Sequence, residues 1–161
     1  MKSPLRAEPL PIGTIKIVLL IVGVMFLGVF LWNRVYSSAI IELGGERFEV
    51  RIADNRDKRA KGLGDSKPLE KNEGMLFVFE TAGKYQFWMK DLSYPLDIIW
   101  VAGGTIVDIA PRVAPPIAGE SPESYRKYAP RLPADRVIEV AAGTVDRLGI
   151  KIGDSVRAVE H

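Results

Sequence analysis

The stretch 96-LDIIWVAGGTIVDIA-110 places two apolar runs on either side of Gly103-Gly104. Paired glycines accept the positive φ that a tight two-residue β-turn demands, so the stretch reads as a hairpin. Pairing outward from that turn sets Trp100 against Val107 and Ile98 against Ile109 on an apolar face. Asp97 and Asp108 then share the opposite face as diagonal neighbours, about 7–8 Å apart. This hairpin is the expected centre of the core.

The same signal recurs upstream in 40-IIELGGERFEV-50, where Gly44-Gly45 sets Ile41 opposite Phe48 and Glu42 opposite Arg47. Asp54 or Asn55 is placed to cap a short helix, Arg56 to Lys61, ended by Gly62. Met75 to Phe79 and Tyr85 to Lys90 read as strands, the second alternating Phe87 and Met89 against Trp88 and Lys90. Between Pro111 and Pro133 stand six of the eleven prolines, alongside Tyr125, Arg126, Lys127 and Tyr128. That spacing excludes a long helix or a central strand and predicts a loop. Downstream come a strand over Arg136 to Val140, a short helix capped by Thr144 and ended by Gly149, a Gly153-Asp154 turn, and a last strand over Ser155 to Val159. Many short strands with brief helices predict an α+β, β-rich class, a compact mostly antiparallel sheet or barrel-like domain.

Ahead of this domain, Ile15 to Trp32 reads IKIVLLIVGVMFLGVFLW, with Lys16 as its one charge. Eighteen residues of helix cover roughly 27 Å, the thickness of a bilayer's hydrocarbon core. The expected organisation is a cytoplasmic N-terminus over 1–14, a transmembrane helix over 15–32, a tether over 33–39 and an extracytoplasmic domain over 40–161. Lys2, Arg6 and Lys16 precede or open the segment and Arg34 alone follows it, which by the positive-inside rule puts the domain outside. A rival is a signal peptide cleaved after Ser37-Ser38-Ala39, which would leave a secreted or periplasmic protein.

The 161-residue chain carries +2 formally, from 22 basic and 20 acidic side chains. Residues 1–35 hold four of the cations and only Glu8, so the remainder is left at −1. A near-neutral domain has no electrostatic footprint for nucleic acid. The absence of cysteine and a single histidine, His161, leave no thiolate chemistry, no disulfide and no histidine-based triad or metal cluster. No cofactor or metal is expected.

The segments GLG at 62–64, EGMLFVF at 73–79, FWMK at 87–90, PLDIIW at 95–100, VIEVAAG at 137–143 and GIKIGDSV at 149–156 follow one another in an order that resembles the bacterial and archaeal domain of unknown function numbered 192, also called uncharacterised protein family 0127. The resemblance covers about residues 40–160. It implies a single small β-rich domain, often behind a signal or anchor segment, with no established activity and no catalytic residues to carry over. The chain departs from the family at Gly64, where methionine is common, and at Asp91-Leu92, where Asn-Thr usually follows the lysine.

Trp88 and Lys90 share a strand face, Tyr94 and Asp97 follow across Pro95, and Glu139 lies on a nearby strand. An aromatic, a cation and carboxylates at one sheet end suit a small polar ligand or glycan. The expected function is a membrane-anchored module that binds a cell-envelope ligand or protein through Trp88, Lys90, Tyr94, Asp97 and Glu139. The alternatives are an envelope hydrolase using Asp97 with Asp108 or Glu139, and a structural subunit of a membrane complex.

Overall fold

The computed structural model describes residues 12–32 and 36–159 and, within 12–32, side-chain surroundings at 13 and 16–25 only. Residues 1–11 of the expected cytoplasmic segment, 33–35 of the tether and the terminal His161 lie outside the described residues. A helix, α1, runs Ile12–Trp32. Among the described residues no helix is long and apolar enough to cross a membrane. A second compact unit begins at Tyr36.

That unit is built on seven strands: β1 (Ser38–Leu43), β2 (Glu46–Ala53), β3 (Glu73–Gly83), β4 (Leu96–Ala102), β5 (Thr105–Val113), β6 (Ala134–Ala141) and β7 (Arg157–Val159). Their order in the sheet is β5-β4-β6-β3-β2-β1-β7, with β2 and β3 parallel and every other pair antiparallel. The parallel step needs a crossover, and α2 (Arg56–Lys61) supplies part of it. Asn55 caps α2 by accepting from the Lys58 N–H at 2.9 Å, and Gly62 ends it at φ 51°. β1 starts within the expected tether, because the Ile52 N–H reaches the Ser37 carbonyl and continues the ladder to that point.

The two edges of this sheet meet. The Ile106 N–H donates to the Asp154 carbonyl, the Gly153 N–H to the Ile106 carbonyl and the Val156 N–H to the Gly104 carbonyl, at 2.8–2.9 Å. The same segment runs on into β7, which pairs with β1. Both edges of the sheet thus find partners, as in a barrel. The inner face collects Ile41, Leu43, Phe48, Val50, Ile99, Val101, Ile106, Ile138 and Val140, with Val145 and Ile150 joining them from α3 (Thr144–Leu148) and the turn after it. A second core forms on the outer face of β3, β4 and β6, where Leu63, Phe87, Met89 and Tyr94 cover Met75, Phe77, Leu96, Ile98, Trp100 and Val137.

Three expectations are corrected. The hairpin at Gly103-Gly104 slips: Ala102 pairs with Thr105 and Val101 with Ile106, but Trp100 pairs with Asp108 because Val107 bulges out. Tyr85 to Lys90 forms no strand beyond a single bridge, Phe87 to Tyr128, although its alternation survives as loop packing. Thr144 is the first residue of α3 and not its cap. Gly143 holds the cap position with φ 87° and no side chain of its own to offer.

Candidate functional site

Phe87 exchanges both backbone hydrogen bonds with Tyr128 at 2.8 Å, which clamps the 85–90 segment to the proline-rich loop. With Phe87 and Met89 turned into the outer core, at 9% and 3% exposure, Trp88 must turn outward and is 40% exposed. Its ring meets Tyr125 edge-on at 6.4 Å between centroids. The Lys90 Nζ stands 5.9 Å from the indole centroid and the Lys127 Nζ 5.8 Å. Beside them the Arg126 guanidinium lies 4.9 Å from the Tyr128 ring. Among the described residues none of these three cations has a carboxylate within ion-pair distance. The result is an exposed aromatic platform flanked by uncompensated positive charge.

Of the residues expected at one site, Trp88 and Lys90 are together and the others are not with them. Tyr94 is buried, its hydroxyl 2.6 Å from Ser66 Oγ. Asp97 is fully buried and accepts three backbone N–H bonds, from Arg112 at 2.7 Å, Gly143 at 3.1 Å and Val145 at 2.8 Å. It caps α3 across the fold, supplying the acceptor that Gly143 lacks. A carboxylate so engaged has little capacity left for a ligand.

The Val107 bulge separates the two aspartates. Asp108 is paired with Trp100 of the outer core, whereas Asp97 pairs with Val140 of the inner one. Asp108 is held by Arg131, whose Nη2 is 2.8 Å from Oδ1 and whose backbone N–H is 2.7 Å from Oδ2. Burial pushes the Asp108 carboxyl upward, but the Arg131 hydrogen bonds outweigh it and leave the carboxyl below its ordinary value. The paired carboxylates that a hydrolase would need do not assemble at this hairpin.

Glu139 sits on β6 between Met75 of β3 and Ile98 of β4 and is 3% exposed. No hydrogen bond reaches its carboxyl among the described residues, where no fully inaccessible side-chain oxygen lacks a partner. The group therefore keeps a sliver of accessible surface. Burial pushes its pKa up from 4.5 to about 8, so it is mostly protonated at neutral pH. It lies on the face opposite Asp97, and the two cannot act on one ligand.

Lys127 and Tyr125 were missing from the expected set. The signal available was the Tyr125–Tyr128 run of aromatics and cations, but not which aromatic it would meet. Among the described residues no cluster of histidine and acidic side chains fits a metal ion.

Two solved structures resemble this one. A protein from Sinorhizobium meliloti 1021, provisionally labelled a transcription regulator, superposes with a TM-score of 0.67 at 29% identity, covering 76% of this chain and 95% of that one. A protein of unknown function from Novosphingobium aromaticivorans DSM 12444 does so with a TM-score of 0.63 at 28% identity, covering 76% and 84%. No curated protein matches. The family model DUF192, described as Uncharacterized ACR, COG1430, matches residues 39–158.

Proposed function

Since the chain belongs to the DUF192 family, whose function is uncharacterised, we propose that it is a membrane-anchored, extracytoplasmic binding module that takes an anionic cell-envelope glycan on the Trp88 platform. The observation that carries this is the pair of ammonium groups, Lys90 and Lys127, set at 5.9 and 5.8 Å from a 40% exposed indole with no acidic partner among the described residues. The indole offers an apolar face to a sugar ring, and the ammonium groups favour its carboxylates or phosphates.

Supporting the anchor is the composition of Ile15 to Trp32, all within α1, with cations concentrated before it. A role in transcription regulation, the label of the Sinorhizobium protein, gains no support from charge if it requires nucleic-acid binding, since residues 36–161 sum to −1. Fusing reporters to the two ends of the chain tests the orientation, and a cytoplasmic C-terminus would overturn it.

The binding test is thermal denaturation of the full chain with oligogalacturonate, using a neutral malto-oligosaccharide as control. Stabilisation by the anionic sugar alone, lost in Trp88→Ala and Lys90→Ala with the unliganded Tm unchanged, is the expected result. No stabilisation in the parent chain, or variants that melt early without ligand, would overturn the reading.

A further inference from the structure

Glu139 lies under the segment that carries the Trp88 platform. Phe87, the residue before Trp88, sets its ring 4.8 Å from Phe77 and 6.3 Å from Trp100, and those two residues flank Val137 on either side of β6. Further on, the chain enters β4 at Leu96, opposite Ala141. Glu139 stands between Val137 and Ala141 on one face of β6. The stretch from Trp88 to Tyr94 therefore crosses the Glu139 row, with Met89 and Tyr94 buried in the outer core. Beneath it the Glu139 carboxyl has no hydrogen-bond partner among the described residues.

Packing is what seats this stretch on the sheet. Among the described residues its backbone makes no hydrogen bond to a strand: the Asp91 carbonyl accepts from the Asp65 N–H at 2.7 Å, and the Leu92 N–H turns back to the Met89 carbonyl at 3.3 Å. The Tyr94 hydroxyl reaches Ser66 Oγ, in the same crossover as Asp65, at 2.6 Å. Apolar contacts of this kind tolerate a neutral carboxyl below them and not an ionised one, because a carboxylate without a partner has to be hydrated. The other charged groups on this face are Glu73 of β3, diagonal to Glu139, and Arg51 of β2, beyond Met75. The covering stretch adds Lys90 and Asp91, and the crossover Asp65, Lys67, Glu70 and Lys71, all exposed. β4 presents Leu96, Ile98 and Trp100 there and no charge.

We infer that Glu139 is a positioning residue for the Trp88 platform: while it holds its proton the stretch from Trp88 to Tyr94 lies flat on the sheet, and when it ionises that stretch lifts to admit water and the anionic ligand is released. Lifting Met89 carries Trp88 and Lys90 away from Tyr125 and Lys127, their neighbours on the proline-rich loop. The new negative charge beneath the platform acts on an anion in the same direction. Release of ligand rests on the proposed glycan reading, whereas the lifting of the segment does not. With Glu139 titrating at about 8, the seated fraction falls about tenfold between pH 7 and 9, and the apparent Kd rises by the same factor.

The test uses the full chain in a nonionic detergent from pH 6 to 9, where oligogalacturonate stays fully ionised. Calorimetric titration with that sugar should give a parent Kd that rises about tenfold from pH 7 to 9. Glu139→Gln and Glu139→Met, uncharged throughout, should hold one Kd, and any other titrating group acts on all three proteins alike. Without ligand, brief peroxide treatment and peptide mapping should find Met89 oxidised about tenfold faster at pH 9 than at pH 7 in the parent and at one rate in both variants. The amides of β3 and β6 should stay protected from exchange meanwhile, which separates lifting of the segment from unfolding. A parent Kd or a Met89 oxidation rate that ignores pH, or variants that keep the parent's profile, would overturn the inference. Absence of binding at every pH, with Met89 oxidation still following Glu139, would sink the glycan reading and retain the positioning role.

Discussion

Replacing Glu139 by glutamine removes the one group, among the described residues, expected to make this fold less stable as pH rises through neutrality. In the folded chain its carboxyl lies between Met75 and Ile98 with a pKa of about 8, against 4.5 when solvated. Between those values the folded state binds more protons than the unfolded state, so unfolding free energy falls with increasing pH. At about 1.4 kcal/mol per pH unit the whole window removes about 5 kcal/mol, of which about 3 kcal/mol is lost by pH 7. Glutamine has similar shape and no charge to suppress. Glu139→Gln should therefore match the parent within about 1 kcal/mol at pH 5 and exceed it by about 3 kcal/mol at pH 7. Urea unfolding of the full chain in a nonionic detergent, followed by near-ultraviolet circular dichroism from pH 4.5 to 8.5, measures both. Parallel pH profiles for parent and variant would refute the reasoning. The acid limb has the opposite sign. Burial raises and the Arg131 hydrogen bonds lower the Asp108 pKa, with a net fall. The stability it contributes is present above the unfolded value and is lost as pH drops through the folded one.

Asp97→Ala leaves the N–H groups of Arg112, Gly143 and Val145 without their acceptor and should cost about 3–5 kcal/mol in urea unfolding, with α3 losing amide-exchange protection first. Gly74→Ala would put a Cβ 2.8 Å from the Glu139 carbonyl oxygen in mid-sheet, where neither backbone can retreat, and should cost about 1–3 kcal/mol by the same measurement. Arg131→Ala removes the guanidinium from a largely buried Asp108 while the backbone N–H bond to it stays, and because that guanidinium is 70% exposed the expected loss in urea unfolding is small and vanishes below the Asp108 titration. Asp91 adopts φ 56°, so Asp91→Gly should raise Tm slightly, by up to about 1 kcal/mol of stability.

That backbone angle also explains a family feature visible from sequence. The position after the lysine of FWMK usually holds asparagine, and a left-handed residue followed by the chain's return towards Gly64 favours Asn, Asp or Gly. The aspartate here meets the same demand. Other local readings succeeded for equally local reasons. The Gly44-Gly45 turn and the alternation around it sufficed to place Ile41 opposite Phe48, since a two-residue turn and one buried face leave a single register. Asn55 and Gly62 bound α2 because capping acts within one helical turn.

The amino-acid sequence by itself determined the β-rich class, the family, the two glycine hairpins, the ends of α2 and the apolar run that gives the chain its proposed address. It marked Trp88 as an outward residue through the alternation with Phe87 and Met89. Only the tertiary structure decided what the acids do. LDIIWVA is buried on both faces, six of its seven residues fully so, and its continuous apolar run was the signal that β4 has no wet side for Asp97. The bulge at Val107, a one-residue shift within the β4–β5 hairpin, sends Asp108 to the other face. Asp97 capping α3 and Glu139 losing its solvent are contacts over more than forty residues, and no local pattern encodes a partner at that distance. Hydrogen bonding and burial, which assign each carboxylate its charge, exist only once the barrel has closed.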